Sequence, residues 1–162
     1  MKKPLLLLTF TTLWISTIFA QFYTVDLEPT GVSQLTILSG SITGLEVGDE
    51  IGIFDENAIT NYNDCSNQIG ELLVGTAVWD GDVWDGEANP EGTVLAIVSI
   101  GSVDNCISNS VQLAGYVEAN LVLVKVYRPS TRVEYNTELT WGNGIGRFGE
   151  TIQSVSEIEL SD

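Results

Sequence analysis

The chain has 162 residues, with 22 acidic side chains against 6 basic ones and no histidine. A formal charge of −16 sets the surface against nucleic-acid phosphates and anionic membranes. The missing imidazole removes Ser-His-Asp triads, Cys-His dyads and His-ligated zinc.

The first residues have a recognisable order. Lys2 and Lys3 form a basic start, and an uncharged, largely apolar stretch follows from Leu5 to Ala20. That stretch is short for a membrane-spanning helix, which needs about 20 apolar residues. It suits a secretory signal peptide over 1–20 with the small Ala20 at the cut. No cysteine stands near the cut, so lipid anchoring there is excluded. Cleavage leaves 162 − 20 = 142 residues, the length of one domain, 21–162. Both lysines of the leader go with it, so 4 basic residues face 22 acidic ones, a charge of −18. The expected location is secreted and at the cell surface, with no membrane insertion after cleavage.

The mature start, QFYTVDLEP (21–29), alternates apolar and polar residues. Phe22, Tyr23, Val25 and Leu27 make it a candidate assembly strand, able to add to a neighbour's sheet; pairing within its own fold is the alternative. SQLTILSGSI (33–42) alternates as a strand. GLEVGDEIGIFD (44–55) reads as a glycine turn into a strand with Ile51 and Ile53 on one face. Its Asp49, Glu50, Asp55 and Glu56 are the oxygen type that Ca²⁺ takes, but their spacing matches no defined Ca²⁺ loop. A turn–strand–turn unit with solvated charges is the simpler reading.

ENAITNYNDCSNQIG (56–70) is a long Asn-rich loop that needs a tether. Cys65 and Cys106 are the only cysteines, and an even pair in an exported chain favours a disulfide. It would close a loop of about 40 residues, worth about 3–4 kcal/mol in the chain-entropy model. GELLVGTAVW (70–79) and GTVLAIVSIG (92–101) are apolar enough for central strands. Between them, WDGDVWDGEANPEG (79–92) places Asp80, Asp82, Asp85 and Glu87 close together as a candidate Ca²⁺ clip, without the flanking helices of an EF-hand. Trp79 and Trp84 in that stretch, with Tyr62, are candidate platforms for a sugar ring. The competing reading packs the tryptophans on the sheet.

NLVLVKVYRP (120–129) alternates again. TWGNGIGRFGE (140–150) is glycine-rich without being a nucleotide loop; it reads as a bulge or corner with Trp141 and Phe148 beneath it. LEVGDEIGIFD (45–55) also echoes VEANLVLVKVY (117–127), either as pseudo-symmetric halves or by chance. Turn residues punctuate the apolar runs about every ten positions. That rhythm predicts an all-β protein, an antiparallel β-sandwich or jelly roll.

Three stretches, SQLTILSGSITGLEVGDEIGIFD (33–55), VGTAVW (74–79) and IVSIGSVDNC (97–106), resemble a module of secreted surface proteins of Bacteroidota-type bacteria. The shared pattern is L-x-x-GDEIG-x-FD, a Cys, VG-x-x-x-W and a later Cys. The resemblance implies an extracellular β-sandwich, commonly one part of a larger surface protein, and no activity. Here the module stands without a second domain, so a subunit of something larger is expected.

No acidic pair sits in an apolar setting suited to glycoside hydrolysis, and a serine nucleophile would lack a base. The chain is therefore expected not to be an enzyme. The expected function is a secreted structural or adhesive surface protein, a self-assembling filament subunit that uses N-terminal strand addition. The alternative is a carbohydrate-binding module stabilised by Ca²⁺. Partners are then the chain itself, other surface proteins or glycans, and not nucleic acid.

Overall fold

In the computed structural model, which describes residues 21–81, 94–107 and 111–161, alternating side chains build a sheet that wraps around its own core. The strands are β1 (Ser33–Leu38), β2 (Glu50–Ile59), β3 (Ile69–Val78), β4 (Leu95–Ile100), β5 (Val103–Asp104), β6 (Gln112–Leu113), β7 (Leu123–Arg128), β8 (Val133–Asn143) and β9 (Ile152–Ser161). Seven of them form one sheet in the order β3-β2-β7-β8-β9-β1-β4, and β5 and β6 form a short ribbon of their own. The all-β expectation holds. Pairings are antiparallel except β1 with β9, which run parallel from Leu35↔Ile152 to Leu38↔Val155.

Period-two alternation turns one face of each strand inward. Leu38, Ile51, Ile53, Val74, Ile97, Val124, Val126 and Val155 meet there in a single core. Each such buried aliphatic side chain contributes about 1.5–3 kcal/mol relative to exposure. The sheet curls until its two edge strands, β3 and β4, nearly close it like a barrel. Gly75 lets them approach: a Cβ at that position would lie 2.8 Å from the Val98 carbonyl oxygen and 2.9 Å from Ser99 Oγ.

Three sequence expectations change in detail. Residues 22–27 form no strand; they lie as an arm without regular secondary structure. β8 and β9 occupy stretches where no strand was expected, since their faces carry Glu, Asn, Thr, Ser and even the inward Gln153 rather than an apolar alternation. The echoing segments 45–55 and 117–127 do not mark two halves. They contain β2 and β7, which are antiparallel neighbours from Glu50↔Tyr127 to Phe54↔Leu123. Each is entered by a reverse turn, Asp49 N donating to Glu46 O at 2.9 Å and Asn120 N to Val117 O at 3.2 Å, with Gly48 and Ala119 at positive φ.

Candidate functional site

The carboxylates of the 44–55 stretch are occupied by the protein itself. Asp49, 1% exposed, accepts the Glu46 amide at 2.8 Å. It also takes Nε and Nη2 of Arg128 at 3.0 and 2.8 Å, which raises the Arg128 pKa further. Arg128 reaches on to the Gly44 carbonyl at 2.7 Å, so one side chain ties the end of β7 to the turn before β2. Asp55, 1% exposed, accepts the amides of Asn57 and Val117 at 2.9 and 2.8 Å. It holds Asn120 Nδ2 at 2.9 and 3.0 Å as well. These acids, expected to be solvated, are buried clamps, because a buried carboxylate is tolerated only when donors surround it. Among the described residues, no group of three or more acidic or cysteine side chains is placed to hold a metal ion. Of the proposed Ca²⁺ clip only Asp80 is described; Asp82, Asp85 and Glu87 lie outside the described residues.

Glu50 does a third job. Its Oε2 accepts the backbone amides of Phe22 and Tyr23 at 2.7 and 2.9 Å, fixing the arm to the outer face of β2. Beyond it, Phe22 stacks on Tyr127 with ring centroids 3.9 Å apart. Tyr23 packs edge-on against Phe54 at 5.5 Å and donates its hydroxyl to Glu134 Oε2 at 2.9 Å. Tyr23 is 3% exposed while Phe22 is 52% exposed. Burial, then the Glu134 hydrogen bond and charge, push the Tyr23 pKa well above the ordinary tyrosine range. The arm is thus held by side chains and no backbone ladder. Val25 and Leu27 continue it towards the ribbon, and Leu27 packs against the core.

The disulfide forms as expected: Cys65 and Cys106 are bonded, with their Cα atoms 5.8 Å apart. It staples the loop between β2 and β3 to the turn after β5. Inside that loop Asn61 is buried; its Nδ2 donates to Asp64 O and its Oδ1 accepts from Gln68 N, both at 2.9 Å. Asn63 N donates to the Gln112 carbonyl at 2.9 Å. Asn63 and Asn67 sit at φ of 60° and 53°, which Asn tolerates better than most residues. Two Ser66 hydrogen bonds lower the Asp64 pKa.

The three aromatic candidates fare differently. Trp79 is 5% exposed and belongs to the core. Its amide donates to Asp49 O and its carbonyl accepts from Gly48 N, both at 2.8 Å, so it is a structural residue and no platform. Trp84 lies outside the described residues. Tyr62 is 54% exposed at a pocket of about 400 Å³ between arm and stapled loop. Leu27, Leu72, Leu113 and Ala114 line it on the apolar side, and Asp26 and Glu28 bring carboxylates.

A second opening, about 510 Å³, escaped the sequence reading. The β7–β8 ladder stops at Lys125↔Asn136, and the two strands diverge until Val122 N meets Gly146 O at 2.9 Å. Leu121, Leu139, Trp141 and Ile145 line the gap. Glu71 on its rim is paired to Lys125 at 2.8 Å. Only the unequal pairing of the two strands creates this cleft, and no sequence motif announces it.

No protein-family model matches the chain, and neither a curated protein nor a solved structure similar to it was found. Among the described residues, no helix is long and apolar enough to cross a membrane.

Proposed function

We propose that the chain is a secreted structural or adhesive protein of the cell surface, a subunit that joins its neighbours by exchanging the N-terminal arm. The observation that carries this reading is how the arm is held. The side chains of Glu50, Tyr127 and Glu134 grip the amides and rings of Phe22 and Tyr23, with no strand ladder. Every one of those contacts forms equally well with the arm of a second copy, the basis of domain swapping. Pro29, Thr30 and Gly31, the last at φ 81°, link the arm to β1, and Thr30 Oγ1 donates to the Gly101 carbonyl at 2.6 Å, so an exchanging arm would swing from the residues before Thr30.

Export fits the same picture. Cleavage after Ala20 puts the new α-ammonium group one residue before Phe22, whose amide already meets the Glu50 carboxylate at 2.7 Å. The disulfide suits an oxidising compartment. Asp49 and Asp55 are spent on holding the fold, which supports a non-catalytic role.

Cysteines at 22 and 127 test the exchange directly. In the double variant F22C/Y127C, oxidised after refolding at rising protein concentration, covalent dimers and longer ladders are expected on a non-reducing gel. Closure within single chains at every concentration would contradict the exchange.

A further inference from the structure

We infer that the pocket between the arm and the disulfide loop takes a lysine or arginine side chain presented by a partner protein. This rests on the adhesive reading above, but not on arm exchange.

The wall chemistry selects the occupant. Leu27, Leu72, Leu113 and Ala114 give an apolar lining that suits the methylene stem of a long basic side chain. Asp26 and Glu28, exposed on the arm, supply carboxylates for its charged head. Tyr62 offers an exposed aromatic ring to the same head, a cation–π partner. The cleft between β7 and β8 differs at this point, because its rim carboxylate Glu71 already has Lys125, and the opening beside Ile42 and Ile158 has carboxylates but no aromatic ring. Among the described residues that line the pocket, none is basic. The surrounding charge, −18 after loss of the leader, draws cationic partners towards it at low salt.

The backbone that carries the ring is also held in place. Asn61, Asn63 and the disulfide fix the backbone on either side of Tyr62. So constrained a loop has little further backbone entropy to lose on binding. A neutral sugar stacking on Tyr62 would leave the apolar lining without matching surface, whereas an aliphatic stem fills it.

The test is an NMR titration of the mature chain, residues 21–162. The probes are the peptide acetyl-Gly-Ala-Lys-Ala-Gly-amide, the same peptide with norleucine in place of lysine, and cellohexaose. The lysine peptide is expected to shift signals of Tyr62, Leu113 and Ala114, and the norleucine peptide to leave them in place. Exposed Tyr62→Ala should weaken binding about threefold, the size of a surface cation–π contact. D26N/E28Q should weaken it about tenfold, two exposed charge pairs lost together, and added salt should weaken the unaltered protein likewise. Equal binding of the norleucine peptide, binding of cellohexaose alone, or unmoved signals with both peptides would overturn the inference. The cysteine cross-link reads arm exchange without involving Tyr62, so either idea can fail alone.

Discussion

Arg128 spans both carboxylate oxygens of Asp49, with Nε 3.0 Å from one and Nη2 2.8 Å from the other. The contact joins the last residue of β7 to the turn that opens β2, 79 positions away in sequence. Removing the guanidinium leaves a buried, uncompensated carboxylate. Arg128→Ala should therefore cost about 3–5 kcal/mol, measured by urea unfolding. Arg128→Lys should recover only part of that, because one ammonium cannot span two oxygens. A loss below about 1 kcal/mol for the alanine variant, the size of an exposed pair, would show that the clamp is unimportant.

The Tyr23–Glu134 contact gives the arm a pH dependence. The folded state raises the Tyr23 pKa through burial and then through Glu134. A raised value means that the stabilisation is fully present below the unfolded value of about 10 and is lost as pH rises through the folded one. Arm contacts should hold through neutral pH and weaken in strong alkali. Tyr116 is also raised, chiefly by burial, so the readout is the difference between the unaltered protein and Tyr23→Phe. That variant should lose about 1 kcal/mol at pH 7 with its hydrogen bond and show a flatter alkaline decline. Identical alkaline profiles would contradict this assignment.

Removing the disulfide in C65S/C106S opens a loop whose ends are 41 residues apart. The expected cost is about 4 kcal/mol in the chain-entropy model. Hydrogen exchange should show amides of 60–68 losing protection before those of β2 and β7. If the stapled loop keeps its protection, its order comes from Asn61 and Gln112 rather than from the bond.

Gly75 faces the Val98 carbonyl oxygen, which cannot yield as a side chain would, and Ser99 Oγ beside it, where β3 meets β4. Gly75→Ala must push the two edge strands apart and should cost about 1–3 kcal/mol, as overpacking does. Half-buried Gly70, whose nearest neighbour to an added Cβ is a Thr60 methyl at 3.6 Å, is the control and should tolerate alanine. Equal behaviour of the two variants in thermal melts would rule out steric closure at Gly75.

The sequence made the strand character legible where apolar residues alternate, and five of the seven strands of the main sheet fall within or near such runs. It concealed β8 and β9, because outward Glu134, Glu138 and Glu157 and inward Gln153 blur the alternation. The cysteine pair was readable from count and context. The arm was legible as an unusual segment but not as a docked one, since its grip depends on Glu50, Tyr127 and Glu134, far away in sequence. Trp79 misled because a tryptophan beside an acidic run suggests a surface, whereas its backbone is locked to Gly48 and Asp49 and its ring enters the core. Tyr62 was a candidate by type alone; its pocket needs Leu27 from the arm and Leu113 from the ribbon, which only folding brings together.

The central claim is that subunits join through the arm, and the mass of the mature chain in solution tests it most directly. Light scattering behind a sizing column, for residues 21–162 over a wide concentration range at moderate salt, should show dimers and larger species growing with concentration. The same chain with Tyr23→Ala and Glu50→Gln should remain a folded monomer by circular dichroism. A monomeric mass for the unaltered chain at every concentration would contradict the account.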